Sequence, residues 1–170
     1  MIKSREDYLF YLQSDKAAFK WKRPIKAFFD DIWRFQKILR KIEYLKNCKG
    51  KWNILLLITR FFFRRASRRL GFTIPPNVFG PGLRIGHRGT IIVTPKARVG
   101  ANCRINAGVQ IGPGRAGAPK IGDNCYIGPG AKIFGDIILG NNLRIGANAV
   151  VNKSFPQGNG LLVGIPAKLV

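Results

Sequence analysis

Acidic residues are scarce in this 170-residue chain: eight Asp and Glu stand against 30 Lys and Arg, a formal charge of +22. Beyond Leu70 only Asp123 and Asp136 remain. That leaves little material for a paired-carboxylate acid–base site. The chain has a single histidine, His87, and three cysteines, Cys48, Cys103 and Cys125, without metal-ligand spacing. A metal centre built from nitrogen and sulfur donors is therefore not expected. The cysteines form no disulfide framework either, which fits a cytosolic protein. Long apolar runs are missing: the longest, in Trp52–Thr59, is too short to cross a bilayer. The opening MIKSREDYLF carries charges where a secretory leader would be apolar. No glycine-rich phosphate loop runs into a helix, and no base-reading module is visible.

What is present is a period of six. From Ile121 the chain reads IGDNCY, IGPGAK, IFGDII, LGNNLR, IGANAV, VNKSFP. Each unit opens with an aliphatic: Ile121, Ile127, Ile133, Leu139, Ile145, Val151. Four positions later comes a small or apolar residue: Cys125, Ala131, Ile137, Leu143, Ala149. A period of six belongs to neither an α-helix nor an isolated strand; it is the hexad of a parallel β-helix, whose units bury their apolar side only by stacking. Val93, Val99, Ile105 and Ile111 extend the phase upstream, with Ala97, Cys103 and Val109 at the inner small position. Ten residues then separate Ile111 from Ile121, so Pro113 to Pro119 reads as a loop projecting from the coil, where solenoids gather their working residues. Cys103 and Cys125 are 22 residues apart; without the four extra residues this is one coil of three hexads, which predicts stacked, buried thiols.

The first 70 residues differ. Ile25, Phe28, Phe29, Ile32, Trp33, Phe35, Ile38, Leu39, Ile42 and Leu45 recur at helical spacing, with Pro24 as a helix start and Gly50 after its end. This stripe predicts a cap packed on the β-helix or on a neighbouring subunit. In Trp52–Leu70, the residues Arg60, Arg64 and Arg68 line one helical face with Arg65 and Arg69 beside it, and Trp, Leu and Phe fill the remainder. That composition suits a helix lying on an anionic membrane surface; an oligomer-packing helix is the alternative. Gly71 to Gly82, with its prolines and glycines, marks the boundary between a basic helical region (1–70) and the repeat region (71–170), and Gly158–Val170 is expected to leave the solenoid. A charge of this size implies polyanionic surroundings, with plain solubility as the bland reading.

His87 sits in LRIGHRGT, between Gly86 and Gly89, which leave room for a ligand. An imidazole can accept a proton at neutral pH, as a hydroxyl nucleophile requires before it attacks a thioester. A structural or surface role is the alternative for a lone histidine.

Three segments together resemble the left-handed β-helix acyltransferases, in their serine O-acetyltransferase-like branch. They are GLRIGHRGTIIV around His87, the interrupted hexad IGPGRAGAPKIGDN, and the ending Gly164-Ile165-Pro166-Ala167-Lys168. The resemblance implies a mainly β chain, a left-handed parallel β-helix with an N-terminal α-helical cap, assembled as a homotrimer with acetyl-CoA in the cleft between neighbours. It makes His87 the base. Lys153 and Lys168 would neutralise CoA phosphates, Gly128, Gly146 and Ala147 would admit the pantetheine arm, and Gly112 would supply an oxyanion N–H. Arg88, and Arg115, Ala118 and Lys120 in or beside the interrupted hexad, would lie toward the acceptor. Two departures bear on that acceptor. The serine enzymes carry Asp directly before the histidine, where this chain has Gly86, and a second His where it has Ala118. These departures resemble the exopolysaccharide O-acetyltransferases, and imply a sugar hydroxyl as acceptor, at the cytoplasmic face of the membrane. Serine acetylation for cysteine biosynthesis is the alternative; a non-catalytic scaffold or nucleic-acid binder is the alternative of another class. A carbonyl oxygen or an acidic residue from the helical cap would have to orient His87.

Overall fold

The computed structural model describes residues 1–19, 25, 29–50 and 53–170. Pro24, Phe28 and Trp52, given roles above, lie outside the described residues. Among the described residues, three helices precede the coils: α1 (Arg5–Phe19), α2 (Asp31–Cys48) and α3 (Ile54–Leu70). Each begins at a side chain that accepts from otherwise unpaired N–H groups. Ser4 Oγ accepts from Asp7 N at 3.1 Å, Asp30 from Ile32 N and Trp33 N, and Asn53 from Leu55 N. Gly71, at φ 78°, closes α3 in the left-handed conformation and turns the chain into the first coil.

The helical stripe needs a correction. The Asp30 cap starts α2 at Asp31, so Ile25 and Phe29 lie before it, and both are exposed. The buried stripe is Ile32, Trp33, Phe35, Leu39, Ile42 and Leu45. α3 buries one side only. Leu56, Thr59 and Leu70 face inward, with Phe63 and Ala66 half-buried against the core. The outward side is zoned along the axis: Ile54, Leu55, Leu57, Ile58, Phe61 and Phe62 are exposed in the first half, and Arg64, Arg65, Arg68 and Arg69 in the second. Arg60 is half-buried, while Arg64 and Arg68, one and two turns further on the same side of α3, are exposed. Among the described residues, no helix is long and apolar enough to cross a membrane.

The repeats build a parallel β-solenoid with three faces. One face stacks β1 (Phe72–Thr73), β3 (Ile91–Val93), β6 (Gln110–Gly112), β9 (Lys132–Phe134) and β12 (Val150–Val151). A second stacks β4 (Arg98–Val99), β7 (Lys120–Ile121) and β10 (Ile138–Leu139). The third stacks β2 (Arg84–Ile85), β5 (Arg104–Ile105), β8 (Tyr126–Ile127), β11 (Leu143–Ile145) and β13 (Gly160–Gly164), with β14 (Ala167–Leu169) folded back antiparallel on β13. The hexad aliphatics meet in register, Ile85 on Ile105 on Ile127 on Ile145, and all are buried. Cys103 and Cys125 are buried and free, in adjacent coils as the spacing predicted. The chain stays in the solenoid longer than expected: β13 still pairs parallel with β11, because Leu162 fills the inner position. Helices and coils share one core, in which Phe35 contacts Phe72 edge-on at 5.1 Å.

Asparagine shapes the corner that follows the second face. Asn102, Asn124, Asn142 and Asn159 all hold positive φ, which Asn tolerates better than other non-glycine residues. Their amides form a ladder: Asn102 donates to Asn124 at 3.0 Å, Asn124 to Asn142 at 3.2 Å, and Asn142 to Asn159 at 2.9 Å.

Candidate active site

His87 follows β2 at the corner between the third and first faces. Its side chain is exposed and lines a cavity of about 460 Å³ with Ile25, Phe29, Asp30, Asp31, Ile32, Gly86 and Arg88. The coil presents the imidazole, and the start of α2 supplies the opposite wall. Asp30 is occupied in capping α2. Asp31 is gripped by arginines: its Oδ2 lies 2.9 Å from Arg88 Nη2 and 3.2 Å from Arg69 Nη2, and its Oδ1 lies 3.5 Å from Arg34 Nη1. The cap thus brings an acidic residue to the histidine's cavity, and ties down Arg88, its neighbour in sequence. Asp31 was not singled out by sequence: two adjacent aspartates inside an apolar stripe read as its solvated side, and only the fold places them opposite residue 87.

Register brings several candidates into line. Gly86, Asn106, Gly128 and Gly146 each follow one of the matched isoleucines, so they stack in one column at this corner. His87, Ala107, Pro129 and Ala147 form the next column. At about 4.8 Å per coil, Ala147 lies on the order of 14 Å below His87. The smallness of the glycines has a cause inside the coil. A Cβ on Gly128 would lie 2.7 Å from the Ile145 carbonyl oxygen, and one on Gly146 would lie 2.8 Å from Val163 Cγ1. At Gly86 a Cβ would strike the amide oxygen of Asn106, a buried residue that donates to Ile127 O at 2.8 Å. The position before the histidine is therefore filled from the next coil.

Other candidates lie elsewhere. Gly112, Lys153 and the loop carrying Arg115 occupy the following corner, between the first and second faces. The loop is exposed from Pro113 to Ala116, and Ala118 is buried at its base. Lys120 is exposed on the second face, and Lys168 is on β14, paired with Val163. Within one chain these groups stand apart from His87. Among the described residues, no group of three His, Cys, Asp or Glu could hold a metal ion.

Residues 118–153 match the bacterial transferase hexapeptide family (six repeats). That stretch runs from β7 to β12, the later coils of the solenoid. A serine acetyltransferase of Mycobacterium tuberculosis is 38% identical over 100 residues, 56% of this chain and 43% of that protein. One of Staphylococcus xylosus is 37% identical over 118 residues, 66% of this chain and 51% of that protein. The chain thus spans about half the length of the curated relatives it matches. The solved serine acetyltransferase of Brucella abortus in complex with coenzyme A superposes with a TM-score of 0.78 at 28% identity, covering 98% of this chain and 68% of that one. A Neisseria gonorrhoeae enzyme in complex with serine gives 0.78 at 27%, covering 98% and 70%. The expected closeness to exopolysaccharide O-acetyltransferases gains no support from these relatives, which are serine acetyltransferases.

Proposed function

We propose that this hexapeptide-repeat chain is an acetyl-CoA-dependent O-acetyltransferase with serine as its acceptor. One observation carries the chemistry: an exposed imidazole, His87, stands over a cavity at the head of the column that ends in Ala147. The serine acetyltransferases bound to coenzyme A and to serine, similar over nearly the whole chain, support donor and acceptor.

In the proposed reaction His87 takes the proton of the acceptor hydroxyl. The oxygen attacks the thioester carbonyl, and a backbone N–H, with Gly112 as candidate, stabilises the oxyanion. The C–S bond breaks, an ester forms, and the imidazolium returns its proton to the leaving thiolate. Gly112, Lys153 and the Pro113–Pro119 loop sit on another corner of the same chain. They complete the site if supplied by a neighbouring copy, as a homotrimer would do; Lys153 and Lys168 then face the CoA phosphates. Acetyl-CoA use and three free thiols suit a reducing, cytoplasmic setting.

One observation favours a sugar hydroxyl as a second reading. A serine ammonium calls for an uncommitted carboxylate, whereas Asp31 already faces Arg88, Arg69 and Arg34. The deciding experiment offers acetyl-CoA with free serine, or with a panel of sugars, and follows thiol release by wild type and His87→Ala. Release with serine alone supports the first reading, and release with a sugar alone the second. His87-independent release, or none with any acceptor, overturns the catalytic account and leaves the scaffold or nucleic-acid-binding alternative.

A further inference from the structure

We propose that the outward face of α3 is a docking surface for an anionic lipid bilayer. The cavity that its arginines Arg64 and Arg68 edge shares no lining residue with the His87 cavity, and the proposal stands whether or not the chain transfers acetyl groups. Three observations converge. First, a globular protein rarely leaves six large apolar side chains of one helix to water. Here Phe61 is 63% and Phe62 52% exposed, and Ile54, Leu55, Leu57 and Ile58 are exposed beside them.

Second, the zoning matches a bilayer's layers. The apolar half starts at the N-terminal end of α3, and the basic half follows along the axis. At about 1.5 Å per residue, Ile54 to Phe62 spans on the order of 12 Å. That length suits a helix end entering the acyl boundary while arginines stay among phosphates. Leu57, Phe61, Arg64 and Arg68 follow one helical stripe, at i, i+4, i+7 and i+11, so apolar and cationic groups share one side.

Third, the arginines of that stripe edge a cavity of about 680 Å³ between α3 and the first coil, lined also by Phe63, Ser67, Phe72 and Ile74. Arg64 and Arg68 form no ion pair with the described residues. A phosphate diester from a lipid headgroup supplies acceptors for both arginines, and its acyl chains continue toward Phe61 and Leu57. Charge argues against a second copy of this chain as occupant: α3 has no acidic residue, and the chain carries +22.

The test is sedimentation of the full chain with sucrose-loaded vesicles. Binding is expected to mixed phosphatidylglycerol–phosphatidylcholine vesicles, to weaken as KCl rises, and to fall away with pure phosphatidylcholine. The double variant Arg64→Gln/Arg68→Gln should bind about 30-fold more weakly, from ~5-fold per charge near an anionic surface. Phe61→Ser/Phe62→Ser should lose at least about 10-fold. Circular dichroism and thermal midpoint verify that both variants stay folded, as their exposed positions predict. No sedimentation with the anionic vesicles, or equal sedimentation with both vesicle types, overturns the proposal. So does an oligomer that the phenylalanine variant dissociates while vesicle binding persists, which assigns the face to a second copy. Inorganic phosphate that displaces the chain from vesicles better than chloride at equal ionic strength assigns the cavity to a soluble anion instead, and also overturns it.

Discussion

Arg40 Nε lies 2.8 Å from Asp15 Oδ2, and neither side chain is exposed at all. Around this pair the cap is stitched to the solenoid. Arg40 Nη1 also meets Glu43 Oε2 at 2.9 Å and donates to Phe79 O at 2.9 Å, and Nη2 donates to Gly80 O at 2.7 Å. Asp15 Oδ1 accepts from Leu83 N, and Glu43 Oε1 from Asn77 N. Burial works against the guanidinium's charge, but the Glu43 and Asp15 carboxylates outweigh it and hold its pKa above the ordinary arginine value. Removing one partner strands the others without water. Arg40→Met and Asp15→Asn are each expected to lose about 3–5 kcal/mol of stability, read as a lower urea midpoint. Exchange of a surface cation such as Arg115 should leave the midpoint within about 0.5 kcal/mol.

The coils were legible in sequence because a hexad repeats its inner requirement every sixth residue, and each failure of phase marks a loop. The cysteine stack followed from the same count. The Arg40 cluster was not legible, since a basic helix reads as a solvated one and Asp15 is 25 residues away. The Asp30 cap that starts α2 went unread because an aspartate pair inside an apolar stripe looks like part of the stripe's solvated side. His87 stood out by being alone, whereas Asp31 acquires its place opposite the imidazole only through packing. The zoning of α3 was hidden for a similar reason: a helical projection sorts residues by angle and discards their order along the axis.

The asparagine ladder yields an ordering. Asn124 combines φ 57° with two amide bonds along the stack. Glycine keeps the backbone conformation and loses the bonds, while alanine loses both. Left-handed backbone costs a non-glycine residue roughly 1–2 kcal/mol, and each lost hydrogen bond about 1 kcal/mol. Thermal midpoints should therefore fall in the order wild type, Asn124→Gly, Asn124→Ala. Equal midpoints for glycine and alanine would show that strain does not govern this corner.

Burial pushes the thiol pKa of Cys103 up, with Cys125 reinforcing it, and burial also raises that of Cys125. A raised folded pKa means that folding favours the protonated thiol. The stability it contributes is complete below the ordinary thiol value of 9.0 and is lost as pH climbs from there toward the folded value. Stability should thus decline above pH 9, and Cys103→Ala should flatten the decline while lowering stability at neutral pH. In the native state at pH 8 a thiol reagent should modify Cys48, which is partly exposed, and reach the other two only after denaturation. Rapid labelling of all three would contradict the closed core.

His87 and Asp31 line one cavity, and variants of the two separate chemistry from positioning. His87→Asn removes the base while preserving size, so acetyl transfer should fall about 10²- to 10⁴-fold with the thermal midpoint unchanged, since the ring is exposed. Asp31→Asn leaves the base in place but releases the grip on Arg88 at 2.9 Å and on Arg69 at 3.2 Å. If Asp31 acts by holding Arg88 beside the acceptor, this change raises KM for the acceptor more than it lowers kcat, and KM for acetyl-CoA stays put. Arg88→Gln should then reproduce the same split, and the double variant should add little, because both act through one contact. A kcat loss in Asp31→Asn as deep as that of His87→Asn, with KM unchanged, would instead make the carboxylate a partner of the imidazole in proton transfer.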